Sequence, residues 1–270
     1  AGAGVVTCPP LQADYSPDGK SLAVQTSGTL SGELRLLAPL AEQITLNGAA
    51  VAFRKDGDYR VIVTGSAPVW GAAVNAASFA PALASGALFS IFGTNLALAT
   101  ASAPALPLPL ELAGIRVLVN GAPVPLLYAS PLQINAQLPP NLSLVPAQVM
   151  VAGPSGTTGP QAISVAAVAP GIFTASRSTT HLTIYATGLG PVAPAIPAGS
   201  PAGASPLSRC TLPVTVSMGG KDAPVTYAGL APGLAGVYQV NAQLPAGLPA
   251  GPLPVTVTVA GTASNTITLP

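Results

Sequence analysis

Charge is what this 270-residue chain has least of: nine Lys and Arg stand against eight Asp and Glu, 6% of the residues, for a net of +1. About 25% is usual in a soluble domain. Nucleic-acid binding draws on a basic stripe that releases counterions from phosphates, and nine scattered cations nearly balanced by anions make none. Histidine is scarcer still. The single one, His181, lies in a Ser/Thr-rich stretch with no carboxylate within thirty residues. A nucleophilic triad therefore lacks its base and a histidine-rich metal site lacks its ligands. No Gly-x-Ser-x-Gly elbow presents a serine either. The chain is expected to be no enzyme and to carry neither metal nor cofactor. Long apolar runs are missing too: the best candidate, Ala162 to Phe173, is broken by Pro170, so no transmembrane span is expected. No charged segment leads into an apolar one, so a signal peptide is expected to be either absent or already removed, and the start Ala1-Gly2-Ala3-Gly4 fits a processed end. Only two cysteines occur, Cys8 and Cys210. They are compatible with one long-range disulfide in an oxidising compartment, with two buried thiols, or with a bridge between subunits.

What the chain has is turn residues: 31 Pro and 29 Gly recur too often for an uninterrupted 3.6-residue pattern. Short β-branched runs separated by turn pairs predict an all-β protein. In residues 1-70, strands are expected at Ser21 to Ser27, Glu33 to Ala38, Glu42 to Leu46, Ala50 to Arg54 and Tyr59 to Thr64. Asp18-Gly19, Asn47-Gly48 and Asp56-Gly57 are the expected hairpin turns, because Asn and Asp tolerate and Gly favours positive φ. The segment reads as a small antiparallel β domain, a meander, and it holds eleven of the seventeen charged residues.

The last 200 residues repeat. Gln133-Ile134-Asn135-Ala136-Gln137-Leu138-Pro139 returns 106 residues later as Gln239-Val240-Asn241-Ala242-Gln243-Leu244-Pro245. Ile115 to Tyr128 aligns with Val214 to Tyr227, each a strand, a turn at Asn120-Gly121 or Gly219-Gly220, and a strand ending in Tyr. Ile91 to Leu96 pairs with Ile184 to Leu189. Units of about 100 residues with several short strands predict two immunoglobulin-like β-sandwiches in tandem, at 71-171 and 172-270.

Val74-Asn75-Ala76-Ala77-Ser78-Phe79, then Phe89 to Leu96, Leu127 to Asn135, and Ala169-Pro170-Gly171-Ile172-Phe173 follow one another in an order that resembles the uncharacterised Solibacter-type C-terminal domain of acidobacterial secreted proteins. The resemblance spans about 72 to 270. It implies an extracellular module of tandem immunoglobulin-like units without known enzymatic activity, and it transfers no catalytic residues.

The remaining motifs have structural readings. Gly188-Leu189-Gly190-Pro191-Val192-Ala193 loosely matches a dinucleotide fingerprint, but Pro191, Pro194 and Pro197 forbid the helix that would hold a pyrophosphate. Asp56 and Asp58 flank a hairpin Gly and are read as solvated turn residues, with a weak calcium site as the sharper alternative. In the repeated motif, Asn135, Gln137, Asn241 and Gln243 are expected to satisfy backbone groups where the strand leaves its sheet, and Pro139 and Pro245 to stop the ladder. Asn141 heads the one Asn-x-Ser sequon and is the candidate glycosylation site.

Two functions follow from these properties. A surface with so few ions tends to associate, so the first is a self-assembling subunit of an extracellular filament, pilus-like fibre or sheath, a homopolymer of copies of itself. Gly4, Val5, Val6, Thr7 and Cys8 form the candidate segment for strand addition between subunits. The alternative is a cell-surface adhesin or carbohydrate-binding module, with glycans as partners. Twelve aromatics are present. Most, including Tyr128 and Tyr227 at equivalent strand ends, are expected in cores.

Overall fold

The computed structural model describes residues 11–27, 32–51, 53–64, 68–143, 145–154 and 156–270, and among them every regular element is a β-strand. No helix there is long and apolar enough to cross a membrane, which has no bearing on a β-barrel. The chain is all-β, as expected.

Seven strands form the first unit: β1 (Leu11–Tyr15), β2 (Ser21–Thr26), β3 (Gly32–Leu37), β4 (Gln43–Leu46), β5 (Ala49–Ala50), β6 (Arg54–Asp56) and β7 (Tyr59–Thr64). Asp18-Gly19 and Asn47-Gly48 do join hairpins, β1 to β2 and β4 to β5; between β6 and β7 the turn is Gly57-Asp58, one residue later than expected, because Asp56 pairs with Tyr59 as the last residue of β6. The connectivity differs from a meander. β3 leaves the first sheet to pair with β7, so β2 and β4 become neighbours and run parallel. The sheets are β1-β2-β4-β5 and β3-β7-β6. The physical reason is burial: Leu22, Val24 and Ile44 of one sheet meet Ile62, Leu34 and Leu36 of the other, whereas one flat sheet of short strands leaves such a face in water. Arg60 is buried, its guanidinium donating to the carbonyls of Ala41 (3.0 Å), Gly57 and Tyr59 (both 3.3 Å), and Pro39. It ties the loop after β3 to this core.

The first sandwich contains β8 (Val69–Asn75), β9 (Leu83–Ala84), β10 (Leu88–Thr94), β11 (Ala101–Ser102), β12 (Arg116–Val119), β13 (Ala122–Val124), β14 (Leu126–Ala129), β15 (Gln133–Gln137), β16 (Ala147–Gly153), β17 (Gly156–Thr157), β18 (Gln161–Ile163) and β19 (Val165–Ala166). The second contains β20 (Gly171–Arg177), β21 (His181–Thr187), β22 (Val192–Ala193), β23 (Arg209–Cys210), β24 (Val214–Met218), β25 (Lys221–Ala223), β26 (Val225–Leu230), β27 (Tyr238–Gln243), β28 (Leu253–Val259), β29 (Thr262–Ala263) and β30 (Ile267–Leu269).

The two copies share one topology. One sheet runs β11-β14-β15-β10-β8 in the first and β22-β23-β26-β27-β21-β20 in the second. The facing sheet runs β13-β12-β16-β17 with β18 on β16, and β25-β24-β28-β29 with β30 on β28. The period-2 pattern explains the burial. In β28, Leu253, Val255, Val257 and Val259 are buried while Pro254, Thr256 and Thr258 face outward. Phe89, Ile91, Val117, Ile134 and Val149 fill the first core. Leu182, Ile184, Val216, Val240 and Val255 fill the second. The Asn120-Gly121 and Gly219-Gly220 turns both lie at positive φ (50 and 83°, 59 and 77°), the two-residue hairpin geometry whose twist matches the strands it joins.

Candidate functional site

The junction between the sandwiches is built from residues of four of the motifs singled out above. Asn75 closes β8 and is wholly buried; its Oδ1 accepts from the amides of Ala77 (2.9 Å) and Ser78 (3.0 Å), and its Nδ2 donates to the Ala169 carbonyl (2.8 Å). A side chain on Gly171 would collide with Asn75 Oδ1, and one on Gly188 with the Ala169 carbonyl oxygen. Thr187 is also wholly buried. Its hydroxyl accepts from the Leu88 amide of the first sandwich (2.8 Å) and donates to the Gly236 carbonyl (3.1 Å). Gln137 donates to the Gly86 carbonyl (3.1 Å) and accepts from the Gly199 amide (2.7 Å). Buried polar groups satisfied in this way fix one arrangement, because breaking any of them leaves an unpaired group away from water.

The repeated Asn-Ala-Gln-Leu-Pro motif therefore divides its work. β15 and β27 end at Gln137 and Gln243, two residues before Pro139 and Pro245. Gln137 does satisfy backbone groups, while its counterpart Gln243 is exposed. The asparagines do otherwise than expected. Asn135 Oδ1 accepts from Ser90 Oγ (2.9 Å) and Gln133 Nε2 (2.8 Å), and Asn241 Oδ1 accepts from Gln239 Nε2 (3.0 Å). They bond side chain to side chain because alternation turns them to the outer face of the sheet, away from the strand-end carbonyls.

That outer face also takes the tyrosines. Tyr238 enters the second core, its hydroxyl donating to the Gly190 carbonyl and its acidity suppressed by burial. Tyr128, Tyr185 and Tyr227 do not; they are half-exposed beside the amide pairs. In the second sandwich the register sets Ser176, Thr183, Asn241 and Tyr227 in one row across the sheet. Thr174, Tyr185, Gln239, Gly229 and Arg209 make the next. His181 and Gln243 stand opposite each other at the end of the face. The Tyr227 hydroxyl donates to the Leu230 carbonyl (2.7 Å) and lies where a side chain on Gly229 would stand, and the Arg209 guanidinium carbon lies 5.1 Å from the ring centroid. Partial burial raises the Tyr227 pKa and Arg209 opposes the rise. Beyond His181 and Gln243 lies an open hollow of about 510 Å³ whose walls include Thr179, Thr180, Leu244 and Pro245.

In the first sandwich Ser90, Phe92, Gln133, Asn135 and Tyr128 hold the equivalent positions. Phe79, at φ 58° and 62% exposed, stacks on Phe92 with ring centroids 6.3 Å apart. The loop carrying Phe79 joins β8 to β9; in the second sandwich the three residues 178–180 join β20 to β21 directly.

The other expected residues are dispersed. Cys210 is a free, half-buried thiol packed on the second core, and burial pushes its pKa up to about 11. The expected bridge is not formed by it, and Cys8, like the whole segment Gly4 to Cys8, lies outside the described residues. Asp56 is occupied by Arg35 (2.7 Å) and Arg54 (3.4 Å), which leaves its carboxylate engaged by guanidinium groups. His181 heads β21 on the surface, with Nδ1 2.7 Å from Thr180 Oγ1. Asn141 is exposed in the turn after Pro140. Among the described residues no three His, Cys, Asp or Glu side chains gather as a metal site.

No protein-family model and no curated protein matches the chain. Among solved structures it is similar to SGBP-B of the Bacteroides ovatus mixed-linkage glucan utilisation locus in complex with a mixed-linkage heptasaccharide, at TM-score 0.35 and 12% identity, over 88% of this chain and 52% of that one. It is similar to SGBP-B from a xyloglucan utilisation locus of Bacteroides uniformis, at TM-score 0.25 and 14% identity, over 76% of this chain and 48% of that one. The full extracellular region of Plexin A4 follows, at TM-score 0.29 and 14% identity, over 74% of this chain and 17% of that one. The chain spans about half the length of these structures or less. At such scores the likenesses carry no inference about function.

Proposed function

We propose that the chain is a non-enzymatic, secreted module that binds glycans, with two sandwiches locked together as the scaffold that presents the binding face. The observation that carries this is the outward placement of Tyr128, Tyr185 and Tyr227 beside the Gln133/Asn135 and Gln239/Asn241 pairs. These positions are half-exposed, where core packing makes no demand for phenol or amide groups. Rigidly held aromatic rings with adjacent hydrogen-bonding side chains suit flat, hydroxylated ligands. The resemblance of residues 72–270 to the Solibacter-type domain supports the extracellular placement. A glycan array probed with the full chain tests the reading: micromolar retention of defined glycans by a protein that light scattering finds monomeric supports it, and an array on which nothing is retained overturns it.

A second reading, a self-assembling filament subunit, is favoured by the sparse charge of residues 71–270. Of six ionic side chains there, Glu111 and Arg116 neutralise each other (2.7 Å) and Lys221 is bound by the carbonyls of Ala246 (2.9 Å) and Gly247 (2.7 Å). Fibres seen by electron microscopy support this second role. Their persistence after removal of residues 1–8 excludes the Gly4 to Cys8 segment as the joint.

A further inference from the structure

We infer that the outer face of the six-stranded sheet in the second sandwich, continued by the hollow at its end, is a site for an extended acidic polysaccharide, one bearing uronate groups. The inference rests on the reading of the chain as a glycan-binding module and goes further by naming the face and the ligand class. Its first support is the half-exposed surface. The two copies place the same residue types on this sheet, Gln and Asn on β15 and β27, Tyr on β14 and β26, and Phe92 or Tyr185 on β10 and β21. In the first copy Phe79 lies against Phe92. In the second, Tyr185, half-exposed like Phe92, carries a hydroxyl where Phe92 has none.

Preorganisation is the second support. Tyr227 is held by its bond to Leu230 and by Arg209 beside its ring, and Gln239 is held by Asn241. Neighbouring strands stand about 4.8 Å apart, so the four strands β21, β27, β26 and β23 lay phenol, amide and guanidinium groups side by side across the path of an extended chain. At the end of the face, Thr180, His181 and Gln243 add hydrogen-bonding groups along the wall of the hollow.

Charge selects the class of glycan. Residues 171–270 hold three cations, Arg177, Arg209 and Lys221, against one anion, Asp222. Asp222 and Lys221 belong to β25 in the opposite sheet. Arg209 is thus the charged group of the face; Arg177, paired with core-facing Leu182, belongs to the other side of the sheet. A guanidinium with open donors next to an aromatic ring matches a carboxylate carried on a sugar ring. A face whose one charged group is a cation with no carboxylate beside it attracts a polyanion and leaves a neutral glycan without that contribution.

Isothermal titration of the full chain with polygalacturonate, and with dextran as the neutral control, tests the site. Polygalacturonate is expected to bind and dextran to bind at least about tenfold more weakly. Tyr185→Ala and Gln239→Ala are each expected to weaken polygalacturonate binding about tenfold, and Asn241→Ala serves as an independent variant should either fail to fold by circular dichroism. Arg209→Gln is expected to weaken binding and flatten its salt dependence. Phe92→Ala, at the equivalent place in the first sandwich, leaves affinity unchanged. Wild-type affinity in the Tyr185, Gln239 and Arg209 variants overturns the site, and equal binding of dextran overturns the acidic class. If the glycan array retains nothing, the wider reading falls as well; if it retains glycans that these variants bind normally, only the site assigned to this face is lost.

Discussion

Asn75 shows how much of the architecture rests on single polar groups. It makes three hydrogen bonds with no exposure to solvent, two within its own turn and one to Ala169 in the segment that leads into β20. Asn75→Ala strands a carbonyl and two amides, and is expected to cost about 2–3 kcal/mol in a denaturant titration; a loss below about 0.5 kcal/mol, the size of an ordinary surface change, contradicts the junction described above. Cys210 gives a prediction in pH. Its thiol is neutral when protonated, and its folded pKa is raised by burial from 9.0 to about 11. The stability this adds is complete below the unfolded value and is lost as pH rises toward the folded one. Melting temperature is accordingly expected to fall between about pH 9 and 11 and to fall less in Cys210→Ser. A curve of the same shape in that variant assigns the loss elsewhere. Residue identity alone revealed part of this. The aromatics were legible as strand residues, but not their face: a tyrosine at a half-buried strand end satisfies either side, and only the register of β14, β15, β26 and β27 turns Tyr128 and Tyr227 outward.

Strands and hairpins were the most legible layer, because alternation and turn chemistry are local. Thr-Ile-Tyr-Ala in β21 and Val-Thr-Val-Thr-Val in β28 declare period 2 without help from the rest of the chain. That periodicity makes a paired prediction on adjacent residues of β21. Leu182→Ala, facing the core with no exposure, is expected to cost about 2–5 kcal/mol by chemical denaturation. Thr183→Ala, facing outward, should stay within about 0.5 kcal/mol. Equal losses at both positions would mean that the face is covered or the register is wrong. Less was legible in residues 11–64. β1 went unread, and the stretch from Ala50 to Arg54 is two short strands separated by Val51 and Phe53, which pack inward on the core. The parallel pairing of β2 with β4 depends on where β3 goes, and no local pattern encodes that.

The internal repeat made the arrangement of the larger part readable, since two copies of one strand order must fold alike if each is to bury its own core. What separates the copies was not readable: the loop bearing Phe79 and the short hairpin 178–180 differ in length, and only the folded positions show that Phe79 lies against Phe92. Sparse charge pointed toward self-association; the proposed function gives a polar, nearly ion-free exterior a different use, contact with sugar hydroxyls. The most direct test is backbone amide chemical-shift mapping of the full chain titrated with a short oligogalacturonate. The account requires the largest shifts at Thr183, Tyr185, Tyr227, Gln239 and Asn241, with β8, β10 and the first unit unmoved. Shifts concentrated in residues 11–64, or spread evenly over both sandwiches, contradict it.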